Sequence, residues 1–164
     1  MLRKRAFDVM RTGYVVIGPG DTLGQAANRL FAGLAATPDM DAMVLSDEAG
    51  FVGAADSFDI LGALADCAVD DGLRLSLGAS DFEQVFAREC RACLERPAVP
   101  LLRDAAAEVP VAGPRDPLVL VLDAMRKAGS RLAVVVESGR VLGVVCARDV
   151  VSELRLLASG VREG

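Results

Sequence analysis

The chain contains no histidine and no tryptophan. Without imidazole it lacks the commonest general base, proton shuttle and metal ligand, so Ser-His-Asp triads and zinc sites built on histidine are excluded. Aromatic residues make up 4% of the chain while hydrophobic residues reach 52%. The core must therefore be assembled from Ala, Val, Leu and Gly, which suits close packing of helices on sheets. No apolar run approaches the ~18 residues of a spanning helix, and no stretch of signal-peptide length opens the chain, so no membrane insertion is expected. Basic charge is also short, with 18 Lys and Arg against 23 Asp and Glu and a formal charge of −5. That balance leaves no broad footprint for nucleic acid, and the single basic cluster, Arg3-Lys4-Arg5, reads as a solvated terminus. Four cysteines (Cys67, Cys90, Cys93, Cys146) in a chain with no secretory signal point to a reducing, cytoplasmic setting in which all four thiols stay free.

What the chain does have is an internal repeat. Residues 16–23 read VIGPGDTL and residues 111–118 read VAGPRDPL; farther along, residues 51–61 read FVGAADSFDIL and residues 141–151 read VLGVVCARDVV. The first pair shares a Gly-Pro-x-Asp turn and a closing Leu, the second a Gly-x5-Asp followed by two aliphatic residues. In each copy a short β-branched stretch (15–17 and 109–111) stops at the Gly-Pro turn. A helix is predicted next. Apolar residues at Leu23, Ala26, Ala27, Leu30, Phe31 and Leu34, and at Leu118, Val121, Leu122 and Met125, have the spacing of a buried stripe, and Asp116-Pro117 reads as an N-cap and first-turn pair. Two strands follow in each copy (42–45 and 51–54; 133–136 and 141–145), joined by turns containing Gly50 and Gly139. A last helix closes each copy with Ile60, Leu61, Leu64 and Ala65, or Val150, Val151, Leu154 and Leu157, on its apolar side.

The order β-α-β-β-α, twice over, predicts an α/β (α+β) fold. Units of roughly 50 to 60 residues are marginal alone, so two sheets with helices on one face should pack pseudo-symmetrically around a central cleft. The divisions are residues 1–66 for the first repeat, 67–100 for an intervening segment and 101–164 for the second repeat. Within the intervening segment, Ser80 and Glu83 form a capping-box pattern, and Phe82, Val85, Phe86, Cys90, Cys93 and Leu94 lie on one helical face that ends before Pro97.

Asp-Val-Met at residues 8–10, the strand ending in Gly-Pro-x-Asp-Thr-Leu, the hydrophobic strand before Gly, and the Gly-x5-Asp opening the last helix, in that order and nearly twice over, resemble the tandem CBS-domain (cystathionine-β-synthase-type) pair, or Bateman module. The resemblance covers residues 5–66 and 101–158. It implies a regulatory module rather than an enzyme, sensing AMP, ADP, ATP or S-adenosylmethionine between the repeats, with no metal beyond Mg accompanying a nucleotide. It further implies a homodimer and a regulated protein that the sequence does not identify.

The resemblance assigns ribose binding to the Asp that opens the last helix, here Asp59 and Asp149. A carboxylate offers two acceptor oxygens to two vicinal hydroxyls, in charge-assisted bonds; an Asp in a first helical turn also complements the helix dipole with no ligand at all. Three residues earlier the family commonly has Ser or Thr, whereas this chain has Asp56 and Cys146. Two unit charges ~4 Å apart cost roughly 4 kcal/mol at an effective dielectric of about 20, so Asp56 should make the first site poor for phosphate. Cys146 adds no repulsion. The second site is therefore expected to take the ligand, with Asp149 on ribose, Arg131 on phosphate through its fork of donors, and Ser130, Cys146, Arg148 and Val144 nearby. The lead-in of the other copy, residues 5–8, should complete that pocket. Two rival readings exist. Cys90-x-x-Cys93 has the spacing of a thiol-disulfide motif, and the missing Ser/Thr residues also fit a ligand-free dimerisation or partner-binding module with degenerate nucleotide sites.

Overall fold

A computed structural model describes residues 3–69 and 79–159. The first half comprises α1 (Ala6–Val9), β1 (Val15–Ile17), α2 (Leu23–Ala36), β2 (Met43–Asp47), β3 (Gly50–Ala55) and α3 (Ser57–Ala68). Among the described residues, α4 (Ala79–Leu94) and α5 (Ala98–Ala107) follow. The second half repeats the order with β4 (Val111–Ala112), α6 (Leu118–Ala128), β5 (Leu132–Glu137), β6 (Arg140–Cys146) and α7 (Ala147–Ala158). Each half forms a three-stranded sheet, β1-β2-β3 or β4-β5-β6, in which the first pair is parallel and the second antiparallel. Both antiparallel pairs shift register at one equivalent place, between Leu45 and Ser46 and between Val135 and Val136. The shared irregularity is a mark of duplication carried in the backbone.

The Gly-Pro-x-Asp element has a physical role that the sequence reading only half assigns. Asp21 accepts a hydrogen bond from the Gly18 amide at 2.8 Å, and Asp116 accepts one from the Gly113 amide at 2.7 Å. The carboxylate thus closes the turn that ends each lead strand. Asp116 is consequently not the predicted helix cap; Pro117 takes that position with no side-chain cap. In the first half Thr22 caps α2 in a box with Gln25. The box expected between Ser80 and Glu83 involves the Ser80 side chain, which lies outside the described residues; α4 itself includes both positions.

The two sheets face each other. Met40, Ala42, Val44 and Ala54 pack against Leu132, Val134, Val144 and Cys146 to form the core between them. The outer core of each half is completed by the other half's lead-in. Ala98, Val99, Leu102 and Ala106 of α5 join Ile17, Leu23, Met43 and Leu45, while Ala6, with Val9 and Met10 against it, joins Leu118, Val135 and Val145. Backbone bonds fix the exchange: Leu23 N–H donates to Arg96 O and Ala98 N–H to Asp21 O, each at 2.9 Å, and their counterparts are Leu118 N–H to Lys4 O at 3.0 Å and Ala6 N–H to Asp116 O at 2.9 Å. Position 101, where the second repeat is expected to begin, lies inside α5.

Both glycines of the repeated Gly-x5-Asp lie where these lead-ins cross. A Cβ at Gly53 would sit 2.1 Å from Ala106 O, and one at Gly143 would sit 2.7 Å from Arg11 O. Glycine is required there by backbone approach.

Cys67 and Cys93 form a disulfide that ties α3 to α4, with Cα atoms 6.0 Å apart. The expectation of four free thiols is therefore corrected. Compartment reasoning addresses the redox setting, whereas the packing of α4 along α3 decides which sulfurs meet. Cys90 and Cys146 are free. The Cys90-x-x-Cys93 motif is not a dithiol pair, because Cys93 is bonded to Cys67.

Candidate functional site

A cleft of about 430 Å³ opens between the start of α3, the end of α5 and the entry to β5. Asp56, Phe58 and Asp59 line one side and Gly129, Ser130, Arg131 and Leu132 the other, with Glu108 and Val109 between. Local rules put these residues there. Asp56 caps α3, accepting from the Phe58 amide at 2.8 Å and the Asp59 amide at 3.2 Å, and Asp59 Oδ2 reaches back to accept from the Asp56 amide at 2.8 Å. On the facing side α6 ends at Gly129 in the left-handed conformation (φ 63°), and the Ser130 amide bonds back to Met125 O at 2.9 Å. That turn delivers Ser130 and Arg131 directly into β5. Ser130 Oγ is occupied locally, accepting from the Leu132 amide at 3.1 Å and donating to Leu132 O at 2.8 Å.

Arg131 lies over the Phe58 ring, its guanidinium carbon 5.6 Å from the ring centroid, and donates to Asp56 Oδ2 at 2.6 Å. Asp59 is half-buried. Its desolvation pushes the carboxyl above the ordinary aspartate range, and the neighbouring Asp56 charge adds to this against the opposing Asp56 N–H bond and Arg131. Asp59 Oδ1 takes no hydrogen bond from any described residue.

The second carboxylate is in a different state. Asp149 is 9% exposed, and Arg11 grips both its oxygens, with Nε donating to Oδ2 at 2.8 Å and a terminal N–H to Oδ1. Arg11 is held in place by reciprocal backbone bonds with Val144, each 2.9 Å long. Carboxylate and guanidinium match as two parallel forks.

The residues expected at one second-copy site are thus distributed over several places. Ser130 and Arg131 face Asp59, not Asp149. Val144 is buried between the sheets. Arg148 pairs with Asp39, and with Cys146 it lines a smaller cavity of about 180 Å³ that also contains Asp39, Asp41, Asp56 and Arg131. The Cys146 thiol is pushed up to about 11, first by burial and then by the Asp149 charge, which leaves it un-ionised and inert. Arg5 reaches Arg115 O at 3.3 Å, so the lead-in residue at Asp149 is Arg11 and not one of residues 5–8. Sequence reasoning missed Arg11, Phe58 and Glu108. The available signal for Phe58 was a bulky apolar residue between two aspartates at a helix start, where no core face needs it.

Two β-α-β-β-α units that share a sheet-to-sheet core and exchange lead-ins define a paired α/β repeat module. Comparison with known families places it: the chain belongs to the CBS domain family, whose model matches residues 6–66 and 102–156. Solved structures share the fold. The CBS domain protein PAE2072 from Pyrobaculum aerophilum, complexed with AMP, superposes with a TM-score of 0.64 at 22% identity over 95% of this chain and 97% of that one. The CBS domain pair of MJ0100, in complex with 5'-methylthioadenosine and S-adenosyl-L-methionine, gives 0.59 at 18% identity over 93% and 96%. A putative acetoin utilization protein (AcuB) from Vibrio cholerae gives 0.64 at 17% identity over 99% and 100%. A comparison with curated proteins gave no match.

Proposed function

We propose that the protein is a non-catalytic regulatory module that binds an adenosine-containing ligand in the cleft of Asp59, Ser130 and Arg131. One observation carries this reading. Of the two carboxylates at the repeated position, Asp59 keeps an open oxygen in a cleft of about 430 Å³, while both oxygens of Asp149 are taken by Arg11. That volume falls within the ~300 to 1,000 Å³ usual for small-molecule sites. AMP, ADP, ATP and S-adenosylmethionine all present the vicinal ribose hydroxyls that such an oxygen accepts. The binding of AMP by PAE2072 and of S-adenosyl-L-methionine by MJ0100 supports an adenosine ligand in this fold.

Calorimetric titration with adenosine tests the assignment. Asp59→Ala should weaken binding about ten- to a hundred-fold, the worth of one charge-assisted hydrogen bond, and Asp149→Asn should leave it within about twofold. Equal losses in the two variants would overturn the choice of cleft. The raised carboxyl value of Asp59 adds a pH dependence. Protonation converts an acceptor oxygen into a hydroxyl, so affinity should begin to fall on acidification at a pH above that of an ordinary aspartate. For stability the sign is opposite: a raised folded-state value favours the fold below the unfolded aspartate value, and that contribution is lost as pH rises through the folded one. Asp59→Asn should therefore melt no lower than the parent at neutral pH while binding ligand worse.

The same reading includes self-association. Leu61 on α3 and Val151 on α7 occupy equivalent positions and are both exposed, at 60% and 62%, with Leu154 beside Val151 at 44%. Aliphatic residues repeated on the outside of both halves fit a contact between two copies. Sedimentation equilibrium at micromolar concentration should give the mass of two chains, and Leu61→Glu with Val151→Glu that of one. A one-chain mass for the parent would remove self-association from the proposal.

A further inference from the structure

We propose that Asp56 sets the charge of the ligand, making this cleft select neutral or cationic adenosine compounds over phosphorylated ones. This rests on the adenosine reading above. Asp56 is 7% exposed, and its carboxylate collects three donors: the Phe58 amide, the Asp59 amide and Arg131. The Arg131 side chain is far more accessible, at 61%, and would be the natural phosphate ligand of the cleft. Its charge is already matched. Recruiting it to a phosphate would leave a buried carboxylate without its countercharge, held by two backbone amides alone, which the fold resists more strongly than the loss of a surface ion pair.

The other charges of the cleft point the same way. Among the described residues of the lining, Asp56, Asp59 and Glu108 stand against Arg131 alone, an excess of negative charge. Asp41, which accepts from the Ser57 amide at 2.9 Å and from Ser57 Oγ at 2.6 Å, places a further carboxylate in the adjoining smaller cavity. A sulfonium or ammonium group on the 5' side of an adenosine would meet an attractive field, and a phosphate a repulsive one. The pair also lines the smaller cavity, so it stands as the partition between the two spaces. At the position equivalent to Asp56 the second half carries Cys146, which is un-ionised. Charge selection is thus built into one half only.

Calorimetry on the full chain with adenosine, S-adenosylmethionine and AMP tests this. Adenosine and S-adenosylmethionine should each bind at least about tenfold more tightly than AMP, and Asp56→Asn, which keeps the helix cap while releasing Arg131, should tighten AMP about tenfold and change adenosine less than about twofold. Glu108→Gln leaves the cap untouched and should move AMP in the same direction by about two- to threefold, which decides the matter if Asp56→Asn does not fold. AMP binding to the parent as tightly as adenosine, or a substitution that shifts AMP and adenosine equally, would overturn the proposal. Should none of the three bind either protein, the adenosine reading falls, and pyrophosphate alone then decides the role of Asp56. A gain of pyrophosphate binding in Asp56→Asn over the parent supports it, and no gain overturns it.

Discussion

Gly53→Ala is expected to lower stability by about 3 kcal/mol or more, at the upper end of what overpacking costs. The added Cβ would lie 2.1 Å from Ala106 O and 2.4 Å from Ala106 C. No rotamer change relieves a clash with backbone, so α5 has to move outward. With it would move Val99, Leu102 and Ala106, all buried in the first core. For a chain of this size the melting temperature should fall by roughly 10 °C, read by circular dichroism. Gly62→Ala provides the contrast, since it lies within α3 and its Cβ would meet nothing within 4 Å. Alanine in a helix interior is better than glycine by about 0.5 to 1 kcal/mol, so that variant should melt higher. A Gly53→Ala protein as stable as its parent would mean that α5 does not cross β3 as described.

The second large effect belongs to Arg11. Arg11→Ala should cost about 3 kcal/mol, near the lower bound for breaking a buried ion pair, because it leaves the buried Asp149 carboxylate without its countercharge. Asp149→Asn should cost less, since the released guanidinium, 30% exposed, has a path to water. The double variant should be more stable than the sum of the two single losses by at least about 1 kcal/mol, read by urea denaturation. Strict additivity would show that the pair contributes nothing specific. The result also separates the halves, since the carboxylate we propose to take no part in ligand binding is the one expected to hold the structure together.

Much of the fold is legible in the sequence because it is written twice. The Gly-Pro-x-Asp turns, the two hairpins at Gly50 and Gly139 and the Gly-x5-Asp segments fix element order through local chemistry, and local chemistry is what a sequence displays. The helical stripes are only partly right. Leu23, Ala26 and Leu30 are buried as predicted, but Phe31 is 77% exposed and Ala63 replaces Leu61 in the core of α3. Apolar residues one position apart lie about 100° apart on a helix, so a stripe drawn through both is too wide. The site was harder to read. Arg11 and Asp149 are 138 residues apart in sequence, and Arg131 and Asp56 are 75 apart. A duplicated chain gives no local sign of which copy's strand entry faces which copy's helix. The same blindness applies to the Cys67–Cys93 bond, which depends on how α4 lies on α3.

The exchanged lead-in helices also govern the order in which the protein can be assembled during synthesis. The first sheet is complete by Ala55, yet its core stays open until α5 has emerged, and α1 is made before β5 and β6 but has nothing to dock on until they exist. At translation rates of about 5 to 20 residues per second, α1 waits on the order of ten seconds beside the ribosome before its groove is formed. The first helix of the module is therefore among the last to find its place, and its docking is the latch that closes the second half after α5 has closed the first.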